Sequence, residues 1–228
     1  MNSPEQITVL LAEDHVVVRD GLSSLLNVDG GFRILGEART GRQVVEMAQA
    51  LRPQVILMDI AMPVLNGLEA TKHILANDPA AKVLILSAYS DDEYISRASA
   101  AGAVGFLEKQ TSAEILLKAI REVAKGNSFY SPTIVKRQRL ALNKSRNRNG
   151  FPVANGALLT PRELEVLQLV AEGSANRQIG DELGISIKTV EKHRQNLMDK
   201  LNIHDTAGLT RYALAAGIIE NNVRLTIH

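Results

Sequence analysis

The chain contains no cysteine, which excludes disulfides, thiol nucleophiles and thiolate metal sites. Its five histidines, at 15, 73, 193, 204 and 228, show no metal-ligand spacing, so a zinc site is not expected. No run of about 18 apolar residues occurs, and the N-terminus lacks the basic start and apolar stretch of a signal peptide. These absences lead to the expectation of a cytoplasmic protein without membrane contact. What is present is ordinary: 228 residues, 45% hydrophobic and 22% charged, room for two domains with proper cores.

The net charge of +1 conceals an uneven distribution. Residues 1–126 carry 16 acidic and 12 basic residues, whereas residues 127–157 carry six basic residues and no acidic one. Residues 158–228 carry nine acidic and eight basic residues. The middle segment is also dotted with Gly, Asn and Pro from Asn143 to Gly156 and reads as a linker, with Pro132 starting a short helix through Leu142. It serves either as a solvated tether or as a contact to DNA phosphate.

The most informative stretch is Val55-Ile56-Leu57-Met58-Asp59, an apolar run ending in a carboxylate, followed by Ile60-Ala61-Met62-Pro63. Such runs belong to parallel sheets, whose ligands sit in the crevice beyond the carboxyl ends of the strands. Asp59 would stand in that crevice, although by itself it is more readily read as the cap of a turn or helix. Four further strand-length runs, Ile7 to Ala12, Phe32 to Ala38, Val83 to Ser87 and Val104 to Lys109, alternate with amphipathic helical segments near 16–27, 42–51, 66–77, 91–101 and 112–125. The first, third and fourth runs are the most apolar. This predicts a doubly wound five-stranded parallel sheet of order 2-1-3-4-5, with the second and fifth strands at its edges.

In that fold one sheet edge collects Glu13, Asp14, Asp59, Ser87 and Lys109. Three crowded carboxylates repel unless a divalent cation joins them, and hard oxygen donors suit Mg²⁺. Metal and ammonium together would let the Asp59 carboxylate attack phosphorus and form an aspartyl phosphate, with Ser87 and Lys109 holding phosphoryl oxygens.

Residues 6–126 resemble the receiver domain of two-component response regulators. The resemblance rests on Glu13-Asp14, on Met58-Asp59-Ile60-Ala61-Met62-Pro63 with Asn66-Gly67, on Ser87-Ala88, and on Gly102-Ala103-Val104-Gly105-Phe106-Leu107-Glu108-Lys109. It implies that a histidine kinase phosphorylates Asp59, with Mg²⁺ held by Asp14, Asp59 and the Ala61 carbonyl and Glu13 helping through water. Ser87 and Phe106 would be the switch residues. Two positions depart from the common pattern: Gln110 rather than proline follows the lysine, so no cis bond is assumed, and Phe106 replaces tyrosine. Phe106 is equally readable as an edge-strand core residue.

After the linker, Thr160-Pro161-Arg162-Glu163 forms a capping-box signature with proline at the first helical position. Helices are predicted at 161–172, 175–183, 187–201 and 206–216, the second and third forming a helix-turn-helix about Gly184. Inward residues would be Ile179, Leu183, Ile185, Val190, Leu197 and Leu201. On the third helix Lys188, Glu191, Lys192, Gln195 and Asp199 recur at steps of three and four on the opposite face. Glu191, Lys192 and Gln195 are candidates for base edges, and Lys188, Thr189, His193 and Arg194 for phosphate or flanking contacts, although any exposed helix carries polar residues at such spacing and the pattern alone favours a solvated face.

Residues 158–217 resemble the LuxR-type helix-turn-helix of the NarL/FixJ regulators, through Leu159-Thr160-Pro161-Arg162-Glu163, Val170-Ala171-Glu172-Gly173, Leu183-Gly184-Ile185-Ser186 and Lys188-Thr189-Val190-Glu191-Lys192-His193. The expected domains are therefore a receiver at 1–126, a basic linker at 127–157 and a DNA-binding domain at 158–228. The implied function is phosphorylation-controlled dimerisation and binding to double-stranded promoter DNA, without enzymatic turnover. Two other readings compete with it. A pseudo-receiver used for dimerisation or ligand sensing is opposed by the intact set Asp14, Asp59, Ser87 and Lys109. A hydrolase of the haloacid dehalogenase type is opposed by Ala61, which stands where that class needs a second aspartate.

Overall fold

Alternate residues of a strand point to opposite faces, so an apolar run without polar interruption has to be covered on both sides. The computed structural model, which describes residues 6–88, 92–131 and 159–219, shows this directly. The chain divides into two compact units, Met1–Gly150 and Phe151–His228. In the first, strands β1 (Ile7–Ala12), β2 (Phe32–Ala38), β3 (Val55–Asp59), β4 (Val83–Ser87) and β5 (Gly105–Glu108) alternate with helices α1 (Val16–Asp29), α2 (Gly41–Leu51), α3 (Gly67–Asn77), α4 (Asp92–Ala100) and α5 (Ala113–Ala124). Val9, Leu11, Leu57, Leu84 and Leu107 meet Leu26, Leu116, Ile120 and Val123 of α1 and α5. On the other face Leu10, Ile56, Met58, Ile85 and Phe106 pack with Val44, Leu68, Ile74 and Ile95 of α2, α3 and α4.

All neighbouring strands run parallel, in the order β2-β1-β3-β4-β5-β6. Among the described residues the sheet thus has six strands where five were expected, and β5 is not its edge. The addition is β6 (Phe129–Tyr130), which pairs Phe129 with Gly105 and Tyr130 with Phe106. Gly105 permits the approach, since a Cβ there would lie 2.6 Å from the Phe129 carbonyl oxygen. Two residues are too few to show strand periodicity, and they fall in the stretch read as linker. The remainder of that linker from 132, with the short helix expected through Leu142, lies outside the described residues.

The described residues of the second unit form α6 (Pro161–Ala171), α7 (Asn176–Leu183), α8 (Ile187–Leu201) and α9 (Thr206–Ala215), with α6 packed on α8 and α9. Thr160 and Glu163 close the capping box at the start of α6: the Glu163 N–H donates to Thr160 Oγ1 at 3.3 Å, and the Thr160 N–H to Glu163 Oε2 at 2.8 Å. Gly184, with φ 64°, ends α7 in the left-handed conformation that a tight turn requires. Ile179, Leu183, Val190 and Leu197 are buried, as are Val166, Leu167, Val170, Leu209 and Ala213, while Ile185 and Leu201 are half-buried.

Lys200, near the end of α8, ties the capping box to the rest of the unit through a 2.7 Å ion pair with Glu163 Oε2. Burial raises the pKa of Glu163, but hydrogen bonds from Lys200 and Thr160 outweigh it and hold the carboxyl below its ordinary value of 4.5. A lowered folded-state value stabilises the protein above the unfolded value and is lost as pH falls through the folded one. Lys200→Ala is therefore expected to destabilise the second unit by about 1–2 kcal/mol at neutral pH, by leaving a buried carboxylate short of a donor. The difference from wild type should shrink as the pH falls below 4.5, which urea unfolding of the full chain across pH would check.

Candidate functional site

The carboxyl ends of β1, β3, β4 and β5 converge because parallel pairing in register brings successive strands to one edge. Asp59, the last residue of β3, sits opposite Leu86, and Ser87, the last of β4, opposite Glu108. The Lys109 N–H then donates to the Ser87 carbonyl at 2.8 Å, which carries the lysine to the same edge. Its Nζ lies 2.9 Å from Asp59 Oδ2 and 2.8 Å from Glu13 Oε2. Glu13, Asp59 and Ser87 are almost completely buried, and the Asp14 side chain is 16% exposed.

Glu13 and Asp59 thus share one ammonium, with the Asp14 carboxylate beside them in the same cluster. Burial lowers the Lys109 pKa, but the charges of Asp59 and Glu13 outweigh it and hold the lysine above its ordinary value, so it stays cationic. Two negative charges remain without a lysine of their own. Asp14 Oδ1 is buried without a hydrogen-bond donor; His15 Nδ1 lies 2.9 Å from it, in a geometry unsuited to a hydrogen bond. Ligand atoms of Glu13, Asp14, His15 and Asp59 all fall within 4.8 Å of one another, and the cluster could hold a metal ion.

Histidine spacing alone did not reveal His15, because its neighbours here are carboxylates rather than other histidines. Its Nδ1 lies 3.2 Å from Glu13 Oε1, and its N–H donates to the same oxygen at 3.1 Å. Arg19 was also unforeseen. Although an arginine on a helix usually faces water, this one is 2% exposed, and it donates to the Glu13 carbonyl at 3.1 Å and to Glu37 Oε2 at 3.2 Å. It therefore fixes the exit of β1 that delivers the acidic pair.

The loop after Asp59 is folded by short-range hydrogen bonds. The Met62 N–H donates to the Ile60 carbonyl at 3.0 Å and turns the chain at Ala61. The Leu65 N–H donates to the Pro63 carbonyl at 2.9 Å around Val64, a β-branched residue held at φ 72°. The loop closes as the Gly67 N–H reaches Ile60 O at 2.8 Å, and Asn66 Oδ1 caps α3 by accepting from the N–H groups of Leu68 and Glu69. The Lys109–Gln110 peptide is trans, and Phe106 is fully buried in β5.

In the second unit, Lys188, Glu191, Lys192, Gln195 and Asp199 are all exposed along one side of α8. Gln195 Nε2 donates to Asp199 Oδ1 at 2.8 Å. Thr189 and His193 are half-buried, and Ser186 caps the helix by accepting from the Thr189 N–H at 3.1 Å. Arg194 is half-buried as well, donating to Asn176 Oδ1 at 2.6 Å and Thr206 Oγ1 at 3.4 Å, so it braces α8 against the starts of α7 and α9.

These two units correspond to two known families. The family model of the response regulator receiver domain matches residues 9–121, and that of bacterial regulatory proteins of the luxR family matches residues 157–213. The chain therefore belongs to the response regulators that join a receiver to a LuxR-type DNA-binding domain, the NarL/FixJ group. Among its relatives is the transcriptional regulatory protein DegU of Brevibacillus brevis, 35% identical over 88% of this chain and 89% of DegU. The response regulator protein VraR of Staphylococcus aureus is 35% identical over 94% of this chain and 99% of VraR. A crystal form of the Salmonella typhimurium response regulator RcsB is similar at TM-score 0.54 and 25% identity, over 92% of this chain and 99% of that one. Such relatives are transcription regulators rather than enzymes, and no described helix is long and apolar enough to cross a membrane.

Gly67 tests how tightly the sheet edge that carries Asp59 is packed. A Cβ at that position would lie 1.9 Å from the Asp59 carbonyl oxygen, so Gly67→Ala has to displace backbone. A loss of about 1–3 kcal/mol in urea unfolding is expected. Gly21, inside α1, is the control, because an added methyl group there would meet nothing within 4 Å. Gly21→Ala should stabilise by about 0.5–1 kcal/mol.

Proposed function

We propose that this protein is a phosphorylation-controlled transcription regulator in which a histidine kinase transfers a phosphoryl group to Asp59. The observation that carries the reading is Asp59 itself, buried at the end of β3, 2.9 Å from Lys109 and clustered with Glu13 and Asp14. A carboxylate oxygen of Asp59 would form the O–P bond as the P–N bond of phosphohistidine breaks, the histidine nitrogen keeping the bonding pair. Mg²⁺, bound by Asp14, Asp59 and the Ala61 carbonyl with Glu13 assisting through water, would neutralise charge on the incoming group. Lys109 and Ser87 supply donors to the phosphoryl oxygens from the ends of β5 and β4. Ser87 and Phe106 lie on paired strands, and through them the change at Asp59 would pass to the outer strands. The receiver spans 1–126, the connecting segment 127–157 begins with β6, and 158–228 binds DNA, all in the cytoplasm.

Phosphorylation then promotes a homodimer that places two α8 helices on adjacent half-sites of promoter DNA. The DNA-binding segment, 158–228, has one more acidic than basic residue, so a single copy has few charges with which to displace counterions. Pairing two copies adds their modest contacts, and an RcsB structure holds two dimers bound to two parallel DNAs. Glu191, Lys192 and Gln195 would meet base edges, and Lys188, Thr189 and His193 the backbone, while Arg194 sets the angle of α8 and turns its other N–H groups to phosphate.

Incubation with acetyl phosphate and Mg²⁺ is expected to add one phosphoryl group, detected as a mass increase of about 80 daltons. Asp59→Asn should abolish the increase, and chelation of the metal should do the same for wild type; full labelling of Asp59→Asn would exclude this assignment. Lys109→Ala should still be labelled but fail to gain DNA affinity on phosphorylation.

For DNA, Lys192→Ala is expected to cost about 1–3 kcal/mol and to relax preference at one position of each half-site. Lys188→Ala should weaken all sequences alike and lower the salt slope by about one. Binding titrations at several salt concentrations, with mass measurement of the complex, separate these outcomes. Equal affinity and one-to-one stoichiometry with and without phosphate would contradict the dimerisation switch.

A further inference from the structure

The exposed side of α8 begins with a residue that none of these contacts uses. Ile187, the first residue of the helix, is 46% exposed and is the one large exposed hydrophobic among the described residues of the second unit. It stands one turn before Glu191, and the series 187, 191, 195 and 199 runs down one side of the helix, every member exposed. An isolated surface isoleucine is unremarkable in most settings. Here it continues a stripe of polar groups suited to base edges, at the N-terminal end of the helix, the part of a recognition helix that penetrates deepest into the groove.

Its placement is firmly held. Ser186 caps α8 and fixes the first turn, and Gly180 lets the preceding turn approach so closely that a Cβ there would lie 2.8 Å from the Ile185 carbonyl oxygen. A β-branched side chain on a helix has little χ1 freedom left to lose, so Ile187 presents its methyl groups at small entropic cost. In the major groove the apolar feature that matches them is the C5-methyl group of thymine.

We infer that Ile187 is a specificity-determining residue that packs on a thymine methyl group in each half-site. The inference rests on the reading of α8 as the DNA-reading helix. Four residues of helix rise about 6 Å, less than two base-pair steps of about 3.4 Å. The thymine therefore falls within two base pairs of the base that Glu191 contacts, for which cytosine is the chemical match.

The test uses full-length protein treated with acetyl phosphate and Mg²⁺, and duplexes selected from a randomised library. Wild type and Ile187→Val should select a thymine at a fixed position of each half-site, and Ile187→Ala should select no preferred base there. On the wild-type consensus duplex, replacing that thymine by deoxyuridine removes only the methyl group. Wild type should then bind roughly fourfold more weakly for each half-site changed, the value of one buried methyl group. The Ile187→Ala protein should be indifferent to the replacement. Because the deoxyuridine arm uses wild type alone, it decides the matter even where a variant folds poorly. Unchanged wild-type binding at every substituted thymine, or an unchanged preference in Ile187→Ala, overturns the inference. If Lys192→Ala relaxes selection while Ile187→Ala does not, only the role of Ile187 falls; if neither changes selection, the reading of α8 falls with it.

Discussion

Crowding of like charge governs the first unit. Glu13, Asp14 and Asp59 are brought within a few ångströms of one another by parallel strand pairing, and one ammonium, from Lys109, cannot balance three carboxylates. The surrounding structure is arranged to sustain this imbalance. Arg19 pins the backbone of Glu13, Asn66 and Gly67 hold the loop that follows Asp59, and Val64 is forced into a left-handed conformation to close it. Such a constellation resists collapse, since any relaxation that separated the acids would break backbone hydrogen bonds or the packing of β1, β3 and α3. A positive charge placed among these acids would relieve that electrostatic cost.

The second unit depends on the opposite arrangement, in which charged groups are paired internally and leave one helical side uncommitted to the fold. Lys200 goes to Glu163, Arg162 to Glu165 and to the Leu183 carbonyl, and Arg194 to Asn176 and Thr206. These contacts fix the angles between helices without drawing on Lys188, Glu191 or Lys192.

Most of this architecture was legible in the sequence because the periodicities are strong. The buried strands Val55–Asp59 and Val83–Ser87 and the helix Ile187–Leu201 lie where apolar spacing placed them. Asp59 and Lys109 could be brought together in advance because a parallel sheet delivers strand ends to one edge. What escaped was decided by tertiary contacts without a local signature. Arg19 reads as a surface arginine until its partners are known, His15 joins carboxylates rather than histidines, and Arg194 looks like any polar residue on an amphipathic helix. The strand Phe129–Tyr130 is too short to alternate, and only the approach allowed by Gly105 makes it pair.

That sixth strand also changes how the sheet meets other molecules. Without it, Gly105 and Phe106 would offer unpaired backbone groups beside an apolar side chain, a template for strand addition by another chain. With it, the border among the described residues is only two residues long, and Pro132 follows in the sequence with no N–H to donate. At the far border, β2 carries the charged residues Arg33 and Glu37, both exposed. Both margins are thereby poor substrates for intermolecular β-pairing.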